Sequence, residues 1–188
     1  MTDATSALGS PPLAYTATAR ALHWLTAAIV LTLIPLGFVA ANDWGIPEQT
    51  HQRLYNLHKS LGATLLPLAL LRLAYRLFHR PPRLPADIPP IQQFAAHATH
   101  WALYILIIVQ PLIGWIGTSA YPAPIPFFGL FELPKIWPAN RALSEQLFTL
   151  HRWLGVALAV VVAMHIGAAL YHHVVRKDRI LMRMLSGS

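Results

Sequence analysis

Four long apolar stretches constrain the fold of this 188-residue chain more than any other feature. Each is long enough, at about 1.5 Å per helical residue, to cross a hydrocarbon core of roughly 30 Å. Hydrophobic residues make up 55% of the chain and charged residues 11%, which excludes a disordered polypeptide. We therefore predict an all-α membrane protein whose transmembrane helices lie at about 19–41, 54–78, 97–119 and 148–175.

The connections between these stretches predict an up-down-up-down four-helix bundle, formed by residues 19–184. Residues 1–18 are rich in Pro, Ser and Thr and are predicted to form a disordered tail, and residues 185–188 a short C-terminal tail. No Lys or Arg precedes Arg20, so the first stretch lacks the basic segment of a cleaved signal peptide.

Basic residues at the helix ends predict the orientation in the membrane. Those on the side of the two termini outnumber those on the opposite side, which places both termini in the cytoplasm. We see no nucleic-acid signal, because these residues flank membrane spans. The first group is Arg20, Arg72, Arg76, Arg80, Arg83, Arg176, Lys177, Arg179 and Arg183, and the second is Arg53, Lys59, Lys135, Arg141 and Arg152.

Histidine is the one residue type that can supply metal chemistry to this chain. The sequence has ten histidines, seven acidic residues and no cysteine. The absence of cysteine excludes disulfides, thiolate zinc sites, iron–sulfur clusters and covalently attached haem. A histidine inside a membrane span is rare and indicates a functional site.

The depths of the histidines predict two pairs. His151 and His165 lie on one helix about 21 Å apart, and since fourteen residues are close to four turns they share a face. His58 lies at the depth of His151, and His23 at the depth of His165. Facing imidazoles without a carboxylate favour an axial haem pair over zinc or a di-iron centre. His97 and His100 compete with His23 for the second site.

Two segments share the pattern L-H-[K/R]-x-L-G, at 57–62 and 150–155. Gly62 and Gly155 follow the histidines by one turn, where the absence of a side chain leaves room for a flat macrocycle. The basic residues Lys59 and Arg152 can bind a haem propionate or extend to the membrane surface.

Three further residues are candidates for the second site. Arg72 stands fourteen residues after His58, so it faces the core at the depth of His165, and Arg76 follows one turn later. Both can bind a propionate, or extend to the interface. His100 is a candidate for a quinone or propionate contact, with interface packing as the alternative. His172 and His173 are predicted to be interfacial, and a quinone or propionate contact remains open for them.

Five segments together resemble the bacterial cytochrome b561 family: residues 21–25, 57–62, 96–104, 150–155 and 164–178. The resemblance covers residues 15 to about 184. It implies a four-helix, di-haem b cytochrome of the inner membrane, with His23, His58, His151 and His165 as haem ligands. It also implies the activity best understood in the family, in which superoxide is oxidised on the periplasmic side and ubiquinone is reduced.

That activity gives the basic residues of the outer side a role. Arg53, Lys59, Arg141 and Arg152 would attract the superoxide anion toward the outer haem. Ubiquinone is expected near Arg72, Arg76 and His100, where His100 or His172 could supply protons. A protein partner is possible but not required.

A second interpretation is that the chain is a haem-bearing membrane anchor. Such a protein passes electrons between a partner dehydrogenase or hydrogenase and quinone. Such an anchor needs a docking surface, and the sequence offers one in residues 120–147. A small transporter without haem would not explain the matched depths of the histidines.

Overall fold

The computed structural model describes residues 14–42, 44–85 and 87–187. Its four long helices are α1 (Ala17–Ala41), α2 (Glu48–Phe78), α3 (Pro90–Ala120) and α4 (Arg141–Tyr171). The short strands β1 (Pro126–Phe127) and β2 (Phe131–Glu132) join α3 to α4, and a π-helix (His172–Arg176) and α5 (Ile180–Leu185) follow. Residues 1–13 of the predicted N-terminal tail lie outside the part of the chain that the structure describes.

The four long helices are each apolar and long enough to cross a membrane. Consecutive helices run antiparallel and pack on one another, whereas α1 and α4 touch more sparsely. Large apolar side chains such as Leu71, Ile105 and Met164 face outward, as expected of a surface in contact with lipid. The predicted all-α, four-helix membrane bundle is therefore confirmed.

Three helices begin about six or seven residues before the predicted starts, at Glu48, Pro90 and Arg141. Their first turns are polar, so hydropathy marks only the part of each helix that lies in hydrocarbon. The helix start is set instead by the local backbone: Asn140 accepts a hydrogen bond from the Leu143 amide, and Pro90 stands at the first position of α3. With 31 residues each, α2, α3 and α4 are about 46 Å long and extend beyond the hydrocarbon core.

The two ends of the bundle differ. The hairpin end carries residues 44–47 and the 121–140 connection with its antiparallel strand pair. The termini end carries residues 14–16, the 79–89 connection and the C-terminal segment 172–187. There the indole of Trp24 donates to the Met184 carbonyl at 3.0 Å, and Arg183 donates to the Arg83 carbonyl at 2.8 Å. These bonds fold the C-terminal segment back across the bundle.

An apolar layer fills the middle of the bundle. Its four side chains are 2 to 6% exposed and belong to one buried cluster. Each stands seven residues after a histidine on its own helix, so about two turns, or roughly 10 Å, separate it from that histidine. The layer is formed by Val30, Leu65, Ile107 and Leu158, which follow His23, His58, His100 and His151.

Ser60 attaches the 121–140 connection to the bundle. This side chain is 2% exposed; its hydroxyl lies 2.9 Å from the Pro126 carbonyl and accepts the Phe128 amide at 2.9 Å. The neighbouring Lys59 ammonium donates to the Pro124 carbonyl at 3.0 Å. The hairpin is thus attached to α2 two residues after His58.

We expect Ser60→Ala to loosen the hairpin while leaving the bundle folded. The substitution leaves the part-buried Phe128 amide and Pro126 carbonyl without this partner, a loss of about 1 kcal/mol or more. Amide hydrogen exchange of residues 121–139 should accelerate about tenfold or more. Thr64→Val is the matched control, because the Thr64 hydroxyl donates to the Ser60 carbonyl within α2. Equal exchange in the two variants would contradict the prediction.

Candidate functional site

The hairpin end brings His58 of α2 and His151 of α4 face to face. Their ring centroids are 6.1 Å apart and their planes are inclined by 82°. Two imidazoles binding one metal ion from opposite sides, at about 2.0–2.1 Å per bond, have centroids roughly 6 Å apart. The separation of these two rings therefore fits axial ligation of a haem iron.

The His151 ring is held in a ligand-competent state. Its Nδ1 lies 3.1 Å from the main-chain carbonyl of Gln110 on α3. Because a carbonyl only accepts, Nδ1 carries the proton and Nε2 keeps its lone pair. The Gln110 amide in turn donates from Nε2 to the His151 carbonyl at 3.0 Å.

Glycines on the neighbouring helices make room for both rings. A Cβ at Gly37 of α1 would lie 3.2 Å from His58 Cε1, and a Cβ at Gly114 of α3 would lie 3.2 Å from His151 Cε1. Neither these two glycines nor Gln110 were predicted from the sequence. The available signal was a small or polar residue inside an apolar helix, but the sequence does not reveal which histidine it faces.

A cavity of about 860 Å³ adjoins the two rings, within the usual size range of cofactor pockets. Its lining includes Gly62 and Gly155 of the repeated pattern. A Cβ at Gly62 would meet no atom within 4 Å, so this glycine faces open space, whereas one at Gly155 would lie 3.1 Å from Gln110 Nε2. The volume of the cavity, the imidazole nitrogens and the separation of the two rings therefore fit a flat macrocycle at this end.

The four predicted anion-attracting residues separate into two groups. Lys59 and Arg152 line the cavity, whereas Arg53 and Arg141 are exposed residues outside its lining. Arg141 forms an ion pair with Glu145 at 2.8 Å, and its side chain is 69% exposed. The structure thus brings two of the four cations to the candidate site.

Three histidine rings meet toward the termini end. The centroids of His23 and His165 are 6.2 Å apart, nearly the separation of the first pair, and those of His100 and His165 are 5.3 Å apart. His97 is exposed, and no ring contact links it to His165. The geometry thus favours His23 as the partner of His165, with His100 beside them.

Arg72 contacts this group directly. Its guanidinium donates to His23 Nδ1 at 2.8 Å and lies 5.2 Å from the ring centre of Tyr104, which Arg76 also approaches at 5.7 Å. Because a guanidinium only donates, a neutral His23 carries its proton on Nε2 in this arrangement. Ligation through Nε2 therefore requires Arg72 to move to another acceptor.

Charged residues of the C-terminal segment form a network at the termini end. His172 Nδ1 bonds to Asp178, whose other oxygen accepts the Ile180 amide at 3.1 Å, and Arg176 pairs with Asp87 of the 79–89 connection at 2.7 Å. His172 is partly buried and His173 exposed. Burial raises the pKa of the Asp178 carboxyl, but the hydrogen bonds and the charge of Arg176 outweigh burial and bring that pKa below its ordinary value.

Comparisons with known proteins show what the chain is similar to. The model of the family described as prokaryotic cytochrome b561 matches residues 14–187. Cytochrome b561 homolog 2 of Escherichia coli (strain K12) is 33% identical over 181 residues, 94% of each chain. The probable superoxide oxidase CybB of Yersinia pestis is 32% identical over 166 residues, which cover 87% of this chain and 91% of the relative. Cytochrome b561 homolog 1 of Escherichia coli (strain K12) is 29% identical over 168 residues, with 87% and 92% covered.

We expect the C-terminal segment to loosen on acidification. A carboxylate whose pKa is lower in the folded chain stabilises it above the unfolded pKa, about 3.9, and loses that contribution as the pH falls through the folded pKa. Hydrogen exchange of residues 172–187, corrected for the intrinsic pH effect, should therefore accelerate several-fold below about pH 4.

Asp178→Asn should show the faster exchange already at neutral pH and respond less to acid. Asp87→Asn is the control, because it removes a carboxylate of the same network that has no contact with His172 in the part of the chain that the structure describes. An unchanged pH response in Asp178→Asn would refute the assignment.

Proposed function

Because the chain belongs to the prokaryotic cytochrome b561 family of membrane proteins that transfer electrons through b haem, we propose that it holds two haems. His58 and His151 would ligate one, and His23 and His165 the other. The observation that carries this proposal is the near-equal spacing of the ring pairs, 6.1 and 6.2 Å, at two depths of one bundle. When bound, each haem supplies one-electron redox chemistry.

On this proposal Arg72 changes partner when the haem binds. A ligating His23 needs its proton on Nδ1, which then faces the guanidinium as a second donor. Arg72 would then bind a propionate carboxylate as its acceptor. Arg76, which shares the Tyr104 ring with Arg72, can bind the same anion. The proposed propionate role of both arginines follows from this exchange.

We propose that the net reaction takes one electron from each of two superoxide ions, releasing two O₂, and adds two electrons and two protons to ubiquinone. Lys59 and Arg152 at the cavity would raise the local concentration of the anion. Electrons would then pass from the His58–His151 pair to the His23–His165 pair. This activity is supported by the relative named probable superoxide oxidase.

Ubiquinone is proposed to bind at the termini end, near Arg72, Arg76 and His100. The 5.3 Å approach of His100 to His165 places a titratable ring beside the second pair. His172, partly buried and bonded to Asp178, is a second proton donor at this end. The hairpin end would then face the periplasm and both termini the cytoplasm of a bacterial inner membrane, as the distribution of basic residues favours.

One observation favours the alternative function of a partner-fed membrane anchor. The 121–140 connection exposes several large apolar side chains in the described structure, which could form a docking surface. These are Phe128, Leu130, Phe131, Ile136 and Trp137. A chain of this kind would carry electrons from a partner dehydrogenase or hydrogenase to quinone and would not react rapidly with superoxide.

Substitution of the histidines tests the ligand set. We expect His58→Ala and His151→Ala each to lower the haem-to-protein ratio by about half, because each removes an axial ligand of one site. His23→Ala and His165→Ala should remove the other haem. The measurement is haem content with the absorption spectrum of the purified protein. His97→Ala is the matched control, and retention of the other haem in His23→Ala together with its loss in His100→Ala would make His100 the ligand.

Superoxide kinetics test the steering role of the cavity cations. In Lys59→Gln and Arg152→Gln, reduction of the haems by superoxide should slow about three- to tenfold at low ionic strength, with a weaker dependence on salt. Arg141→Gln is the control, since Arg141 is paired with Glu145 outside the cavity lining. Unchanged rates in both test variants would contradict the steering role. A slow reaction in the unmodified protein would instead favour the partner-fed anchor.

A further inference from the structure

Gln110 makes reciprocal hydrogen bonds with one histidine. Its main-chain carbonyl accepts from His151 Nδ1 at 3.1 Å, and its side-chain Nε2 donates to the His151 carbonyl at 3.0 Å. The residue is 8% exposed and lies inside the apolar span of α3, where a polar side chain without a role is disfavoured. Two hydrogen bonds of opposite direction therefore join α3 to α4 at His151.

The orientation of the Gln110 amide follows from its surroundings. Rotating it by half a turn would set Oε1 against the His151 carbonyl, so that two acceptors face each other. In the arrangement described, Oε1 is buried and has no hydrogen-bond partner among the described residues. A Cβ at Gly155 would lie 3.1 Å from Nε2, so glycine at this position leaves space for the amide.

Among the described residues, the opposite ring of the pair lacks an equivalent attachment. His58 Nδ1 is buried beside the main chain of Leu33, at a geometry outside that of a hydrogen bond. Leu33 carries no side-chain donor that could hold the backbone of α2, as the Gln110 amide holds that of α4. The two imidazoles of the pair are therefore held differently, although the glycines that face them are alike.

We infer that Gln110 is a positioning residue for His151, which fixes the orientation of the ring and strengthens its Nε2 as an electron donor. This inference rests on the proposed haem at the His58–His151 pair. A hydrogen bond from Nδ1–H to a well-placed acceptor raises the basicity of the ligating nitrogen. A more basic ligand stabilises the oxidised iron, so Gln110 lowers the tendency of this haem to accept an electron.

Gln110→Met is the direct test, because it keeps the main-chain carbonyl and the length of the side chain but removes the amide donor that holds the His151 backbone against that carbonyl. In redox titrations of the purified full-length protein, we expect the ratio of reduced to oxidised iron at fixed potential to rise about tenfold for one haem, equivalent to 59 mV for one electron. The low-spin EPR signal of that haem should change with the ring orientation. The other haem should keep its signal and its potential.

Ser144→Ala is the matched control. The Ser144 hydroxyl is fully buried and also joins α4 to α3, through the Gly117 carbonyl at 2.9 Å, but at a place without a ligand. If Gln110 only held the helices together, the two variants would lose stability alike and both would keep the wild-type potentials. That result would overturn the inference, as would an equal shift of both haems in Gln110→Met.

Gly155→Ala provides a second route if Gln110→Met does not fold. Its added methyl group displaces the amide while Gln110 is retained, and alanine favours the helix. On its own it should shift the same haem in the same direction. Where Gln110→Met does fold, the double variant should match it, since both substitutions act through one contact. Additive shifts would contradict the claim that Gly155 acts by leaving space for the Gln110 amide. A wild-type protein without two bis-histidine haems would instead overturn the proposed function, before any variant is compared.

Discussion

Burying the nitrogens of an imidazole in an apolar bundle is costly without hydrogen-bond partners, and the surroundings of His151 and His23 follow from that cost. His151 is served by the Gln110 carbonyl and His23 by the Arg72 guanidinium. α3 approaches the His151 ring so closely that a side chain at Gly114 would crowd it. Of the two facing pairs, His23 and His165 lie between α1 and α4, which contact each other sparsely.

The two histidine levels share a spacing but differ in their surroundings. The level at the hairpin end opens onto a cavity whose lining carries Lys59 and Arg152, whereas the level at the termini end is crowded by His100, Arg72 and Tyr104. An apolar layer separates them. The two levels therefore offer different chemical surroundings to the two pairs of histidines.

Hydropathy and residue spacing predicted what depends on a single helix. The lengths of the apolar stretches predicted the number of spans. The fourteen-residue spacing of His151 and His165 predicted that one helix presents a histidine at each of two depths. Features that depend on how two helices face each other were not predictable. Gly37, Gly114 and Gln110 matter because of the atoms opposite them, and the sequence does not contain that register. The pairing of Arg141 with Glu145 is different, because their four-residue spacing within α4 is visible in the sequence and the ion pair could have been predicted from it.

The position of Leu158, midway between the two histidines of α4, has a consequence for how the family can vary. Each helical residue turns the chain by about 100°, so one inserted or deleted residue between His151 and His165 would rotate one site away from the bundle axis while the other stayed in place. The length of this segment is therefore fixed even where its side chains are interchangeable. Substitutions that keep the volume of the apolar layer would leave both histidines in place. A change in the length of the segment would turn one of them away from the bundle axis.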